Sequence, residues 1–134
     1  MNVTLICPIA IMLPRIRTPD KRYALNLNIY RNTHPHTLNQ AKIIFKQVMQ
    51  DKILYLPKYA TVSAEYILFP KTKRLCDIDN ITCVVNKFFQ DAMVELGRID
   101  SDDYNHWIKT TSSFGSVDKH EPRCEVILTG ILKK

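Results

Sequence analysis

The order of apolar patterns along this chain predicts an α+β fold, a single domain with one mixed β-sheet covered by two main helices. Three observations carry it. Two stretches repeat apolar residues at helical spacing, the strands before, between and after them are bounded by Pro and Gly, and 134 residues suffice for one core but not for two. We therefore expect one domain over residues 1–134. A composition 46% hydrophobic and 24% charged belongs to a folded chain and excludes a disordered one.

The apolar run Val3 to Leu13 reads as a buried strand closed by Pro14. It is far shorter than the roughly 20 residues that span a bilayer, and it lacks the basic leader and cleavage site of a secretory signal. A cytoplasmic protein with no membrane partner is expected. Residues 15–31 mix five bases with Asn and Tyr and keep no helical period, so they read as a loop with at most a short extended piece. Thr37 and Gln40 have the spacing of a capping box, which predicts a helix from Thr37 to about Lys52 with Pro35 just outside it. Its stripe is Leu38, Ala41, Ile44, Phe45, Val48 and Met49.

From Ala60 to Phe69, Val62, Ala64, Tyr66 and Leu68 alternate with Thr61, Ser63 and Glu65, the period of a half-exposed strand. A second helix is expected from about Asp79 to Leu96, with Ile81, Val84, Val85, Phe88, Ala92, Met93 and Leu96 facing the core and Gly97 stopping it. Strands around Tyr104–Thr111 and Arg123–Leu132 complete the chain, joined by a turn near Ser112 to Ser116.

Charge is unevenly placed. Residues 77–103 hold seven acids and two bases, a net of −5, so the total of +6 leaves +11 on the rest of the chain. A basic chain attracts polyanions by counterion release, and carboxylates gathered inside a basic frame suit a metal-dependent nuclease. Cys7, Cys76, Cys83 and Cys124 show no C-x-x-C pair, which favours reduced, packed thiols over a zinc site shared with His34, His36, His106 or His120.

The sharpest motif is Asp77-Ile78-Asp79-Asn80, between a strand and a helix, with Lys71, Lys73 and Arg74 just upstream. Alone it reads first as helix capping, because a carboxylate is stabilised at a helix N-terminus. Asp100, Asp102 and Asp103, past Gly97, read alone as a solvated turn.

Taken together, residues 73–103 resemble the RusA-type Holliday junction resolvases: basic residues, D-x-D-N, a helix lysine before D-A-M, then an Asp-Asp pair. Here these are Lys73 and Arg74, Asp77 to Asn80, Lys87 with Asp91-Ala92-Met93, and Asp102-Asp103. The resemblance implies a RusA-like fold and a homodimeric endodeoxyribonuclease that cuts four-way junctions and related branched DNA in recombination and repair, with Mg²⁺ and no small-molecule cofactor. It implies Asp77, Asp79 and Asp103 as catalytic metal ligands, with Asp102 the near alternative to Asp103, and Lys87 as a catalytic charge stabiliser. Lys71, Lys73, Arg74, Arg15, Arg17, Lys21, Arg22 and Arg31 would hold the DNA backbone.

One departure stands out. The family's lysine lies one turn after the second Asp, the slot of Cys83 here, whereas Lys87 lies two turns on, about 12 Å along a helix axis. The rival from another class is a non-catalytic module that binds branched or duplex DNA, with the acids as caps and turns. The apolar N-terminal strand is the candidate dimer face.

Overall fold

The computed structural model describes residues 2–74 and 77–134; the reading of Cys76 as a reduced, packed thiol falls outside them. In chain order the elements are β1 (Val3–Cys7), β2 (Ala10–Leu13), β3 (Lys21–Ala24), α1 (Leu27–Arg31), α2 (Pro35–Leu54), β4 (Tyr59–Phe69), α3 (Ile78–Glu95), β5 (Trp107–Phe114) and β6 (Arg123–Leu132). Four strands form a mixed sheet in the order β1-β6-β4-β5, with β4 and β5 parallel and the other pairs antiparallel. The described residues form a single α+β domain, as the pattern predicts, with the two main helices α2 and α3 and a short third, α1. A separate two-stranded sheet, β2 with β3, is also present.

The expected strand Val3–Leu13 is in fact two strands in two sheets. Pro8 has no N–H to offer a ladder, so the strand ends at Cys7 and resumes at Ala10 against β3. Within residues 15–31, read as a loop with at most a short extended piece, Lys21–Ala24 is such a piece, β3, whereas Leu27–Arg31 forms the helix α1 instead. Asn26 caps α1 by accepting from Ile29 N at 2.9 Å, and Tyr30 packs at a tilt against Phe88 of α3, 6.4 Å between centroids. α2 begins earlier than Thr37, with His34 as N-cap and Pro35 at the first turn, where a missing N–H costs nothing. Its buried row is Ala41, Phe45, Met49 and Ile53, whereas Val48 is exposed.

β4 keeps the predicted alternation: Val62, Ala64, Tyr66 and Leu68 face the core, where they meet Val126, Leu128 and Cys124 of β6. α3 buries Val84, Val85, Phe88, Phe89, Ala92 and Met93, and Phe45 of α2 stacks edge-on to Phe88 at 5.6 Å. The buried Tyr66 hydroxyl donates to Asn86 Oδ1 at 2.6 Å. The helix ends in a Schellman turn: Arg98 N donates to Met93 O, Gly97 N donates to Val94 O, and Gly97 takes φ +73°.

β5 starts three residues later than expected. Asp103 accepts from Asn105 N and the His106 ring, and this capped turn holds residues 103–106 out of the strand. The strand then runs on to Phe114 because β4 offers partners as far as Leu68, so the turn expected at Ser112 falls beyond it.

Candidate nucleic-acid cleft

β4, α3 and β5 form a strand-helix-strand unit with parallel, adjacent strands. In such a unit the C-terminal end of the first strand and the N-terminus of the helix open on the same side, where ligands commonly bind. A cleft of about 940 Å³ lies at that end. Pro70, Lys71, Thr72 and Arg74 follow β4 into it; Asp77, Ile78, Asp79 and Asn80 start α3; and Leu27, Asn28 and Arg31 of α1 form the opposite wall.

Two of the expected ligands thus share one cleft. Asp77 occupies the N-cap position of α3, yet its side chain makes no capping hydrogen bond. Among the described residues neither Asp77 nor Asp79 has an ion-pair partner, and both are exposed. Side-chain capping, the ordinary account of an Asp at this position, is not what Asp77 does among the described residues. Arg31, Lys71 and Arg74 bring three cations to the same space, and the helix N-terminus adds partial positive charge. Counted against the two carboxylates set among them, these three cations leave the cleft lining a net charge of +1.

Asp102 and Asp103 lie at the other end of the unit. Val62 N donates to His106 O, so the 103–106 turn sits beside the start of β4, while Asp77 follows its end. From Val62 to Pro70 the strand covers about 26 Å at roughly 3.3 Å per residue. The expected convergence of Asp77, Asp79 and Asp103 therefore does not occur within one chain. No three His, Cys, Asp or Glu among the described residues group closely enough to hold a metal.

Asp103 is engaged locally instead. Its Oδ1 lies 2.6 Å from His106 Nδ1, and that bond is the main cause holding its carboxyl below the usual range. Asp102 lines a shallow hollow with Asp91, Glu95 and Asp100, three acids paired with Lys42, Lys46 and Lys133 respectively.

Lys87 is exposed on α3, two turns beyond Asp79, and does not line the cleft. Lys73 is exposed on the loop beside it. Lys21 and Arg22 line a smaller cleft of about 320 Å³ with Asn32 and His34, on the far side of α1. Arg15 and Arg17 are exposed on the turn joining β2 to β3.

Asn28 is a cleft residue that sequence reasoning missed. Asn32 Nδ2 donates to its backbone carbonyl and, at 3.3 Å, to its Oδ1, which leaves the amide N–H groups of Asn28 for the cleft. The signal available in the sequence was Asn26, a helix N-cap ahead of Leu27 and Tyr30.

No protein-family model matches the sequence, and none of the curated proteins matches it. No helix of the described residues is long and apolar enough to cross a membrane.

Proposed function

We propose that this chain is a RusA-like, Mg²⁺-dependent endodeoxyribonuclease that resolves four-way junctions and related branched DNA. The observation that carries the reading is the pair Asp77 and Asp79, exposed and without ion-pair partners among the described residues, in a cleft walled by Arg31, Lys71 and Arg74. Mg²⁺ typically takes one or two protein carboxylates and fills its remaining positions with water and substrate phosphate. Asp77 and Asp79 meet that demand, and the cations around them suit the phosphate.

When bound, Mg²⁺ would polarise the scissile phosphate and make a water molecule more acidic. The chain's own groups do the rest. Arg31, Lys71 and Arg74 hold phosphate oxygens and fix the register of the backbone. The N–H groups opening α3 add donors for developing charge on the phosphate. Asn80 holds the turn through its backbone bond to Asp77 O at 3.1 Å. Asp103 joins this chemistry only if a second copy brings it, since its own chain holds it a strand length away. The proposed homodimer provides that second copy, and two cleavage points on a four-way junction call for two sites in fixed relation.

The test is a labelled four-way junction incubated with the protein, with and without Mg²⁺, alongside linear duplex. The parent should cut the junction only with Mg²⁺. Asp79→Asn should bind it at least as tightly, because a charge that repels phosphate is gone, and should cut it on the order of 10²-fold more slowly or worse, the scale of losing one preorganised electrostatic group. That no three-ligand group forms among the described residues favours a second reading, a cleft that binds branched DNA without cutting it. Tight junction binding with no Mg²⁺-dependent cutting by the parent would decide for that module.

A further inference from the structure

The loop 70–74 that walls the cleft is tied to the rest of the chain at few points. β4 ends at Phe69, and Pro70 has no N–H to extend a ladder. Among the described residues one backbone hydrogen bond joins this loop to another part of the chain: Asp118 N donates to Pro70 O at 2.8 Å. Asp118 belongs to the 115–122 connection between β5 and β6, so that connection holds the root of the cleft loop. Lys71, a cation of the cleft, is the next residue.

Asp118 is held in turn by Arg123. Arg123 opens β6 directly opposite Phe69, and its guanidinium lies 4.2 Å from the centroid of the Phe69 ring. Nη1 donates to Asp118 Oδ2 at 2.8 Å and to Glu121 O at 2.9 Å, while Nε donates to Glu125 Oε2 at 2.8 Å. Asp118 Oδ1 accepts from His120 N at 3.2 Å and from Glu121 N at 3.0 Å. Gly115 N donates to Leu68 O, and a Cβ on Gly115 would come within 2.5 Å of the Phe69 ring, so the connection lies flush against the end of β4. A lone surface ion pair contributes little, but here one planar fork, its side chain 18% exposed, joins two carboxylates, a carbonyl and an aromatic face. The point charge of a lysine does not reproduce that geometry.

We propose that Arg123 is a positioning residue: acting through Asp118 it fixes Pro70, and so holds Lys71 at the cleft against the phosphate of a bound strand. The inference rests on the DNA reading above for what Lys71 grips. Arg123 itself does not line the cleft, so its effect on binding passes through the loop.

The experiment is a double-mutant cycle on junction binding without Mg²⁺, read across a salt series, with amide hydrogen exchange of the DNA-free protein beside it. In Arg123→Gln and Asp118→Ala the amide of residue 118 should exchange roughly fivefold faster or more, while the α3 amides 84–93 keep the parent's protection. Lys71→Ala and Arg123→Gln should each flatten the salt slope by up to about 0.9, and the double variant by no more than about 0.9, because both remove the same phosphate contact. Asp118→Ala should weaken binding roughly two- to fivefold, the scale of one exposed ionic contact, although loss of an acid would by charge alone tighten it. Arg123→Lys keeps the charge and loses the fork, and should weaken binding as Arg123→Gln does. An unchanged amide 118, equal acceleration in α3, a double variant whose slope falls by about 1.8, tighter binding by Asp118→Ala, or parent-like binding by Arg123→Lys would each overturn the proposal. A parent that binds no junction would overturn the DNA reading, and the role of Lys71 with it, whereas exchange at amide 118 tests the hold on the loop by itself.

Discussion

Asp77 and Asp79 were legible as a pair because the signal was local: two acids one residue apart, between a strand closed by Pro70 and a helix with a clear stripe, necessarily share a helix N-terminus. Asp103 was not, because a strand-helix-strand unit returns the chain to the opposite end of the sheet, and no spacing in the sequence reveals that a ligand of one motif and a ligand of the next lie a strand length apart. Lys87 shows the same limit more mildly. Its i+8 relation to Asp79 keeps it on the same face, but about 12 Å of helix rise carries it past the cleft. Lys87→Ala should therefore keep junction cleavage within about threefold of the parent, while loss of a charge-stabilising donor would cost on the order of 10²-fold. Single-turnover rates for Lys87→Ala and Arg31→Ala, measured on the same junction, separate a solvated helix lysine from a cleft cation; a 10²-fold loss for Lys87→Ala would return it to the chemistry.

At the scale of elements, periodicity served best where burial is one-sided. β4, α3 and β6 were found nearly to the residue because each presents one face to the core. β1 and β2 were merged because both are apolar and only Pro8 parts them, and α1 was lost because five residues are too few to show a period. Yet α1 supplies a wall of the cleft, fixed there by Tyr30 against Phe88. At the other end of α3 the stop was read from one glycine, and its φ of +73° explains why. A Cβ at Gly97 would meet no neighbour, so the cost of Gly97→Ala is purely conformational. It should lower unfolding free energy by about 1–2 kcal/mol, the penalty of left-handed backbone for an L-residue, with the denaturant slope unchanged. A loss below about 0.3 kcal/mol in urea titration would mean that the Schellman turn contributes little to holding the start of the 98–106 connection.

For the molecule as a whole, the charge contrast seen in the sequence resolves into two ends of one unit. Asp91, Glu95 and Asp100 are neutralised by lysines at the C-terminal end of α3, with Asp102 and Asp103 beside them. Arg31, Lys71 and Arg74 gather at the N-terminal end, and Lys21 and Arg22 lie just across α1. On the proposed reading a polyanion is drawn to the second end, while ion pairing offsets most of the negative charge at the first, so orientation on DNA follows from charge before any specific contact forms. Each phosphate neutralised on duplex DNA contributes about −0.9 to the slope of log affinity against log salt, so these five cations imply about −4.5 per subunit engaged. Replacing Arg31, Lys71 and Arg74 together by Ala should flatten that slope by about 2.7 per subunit and weaken binding most at low salt. Replacing Arg15 and Arg17, which line neither cleft, should flatten it less. Junction affinity measured by fluorescence anisotropy across a salt series decides the matter: a triple variant that keeps the parent's slope would place the DNA elsewhere on the protein and remove the cleft from the functional reading.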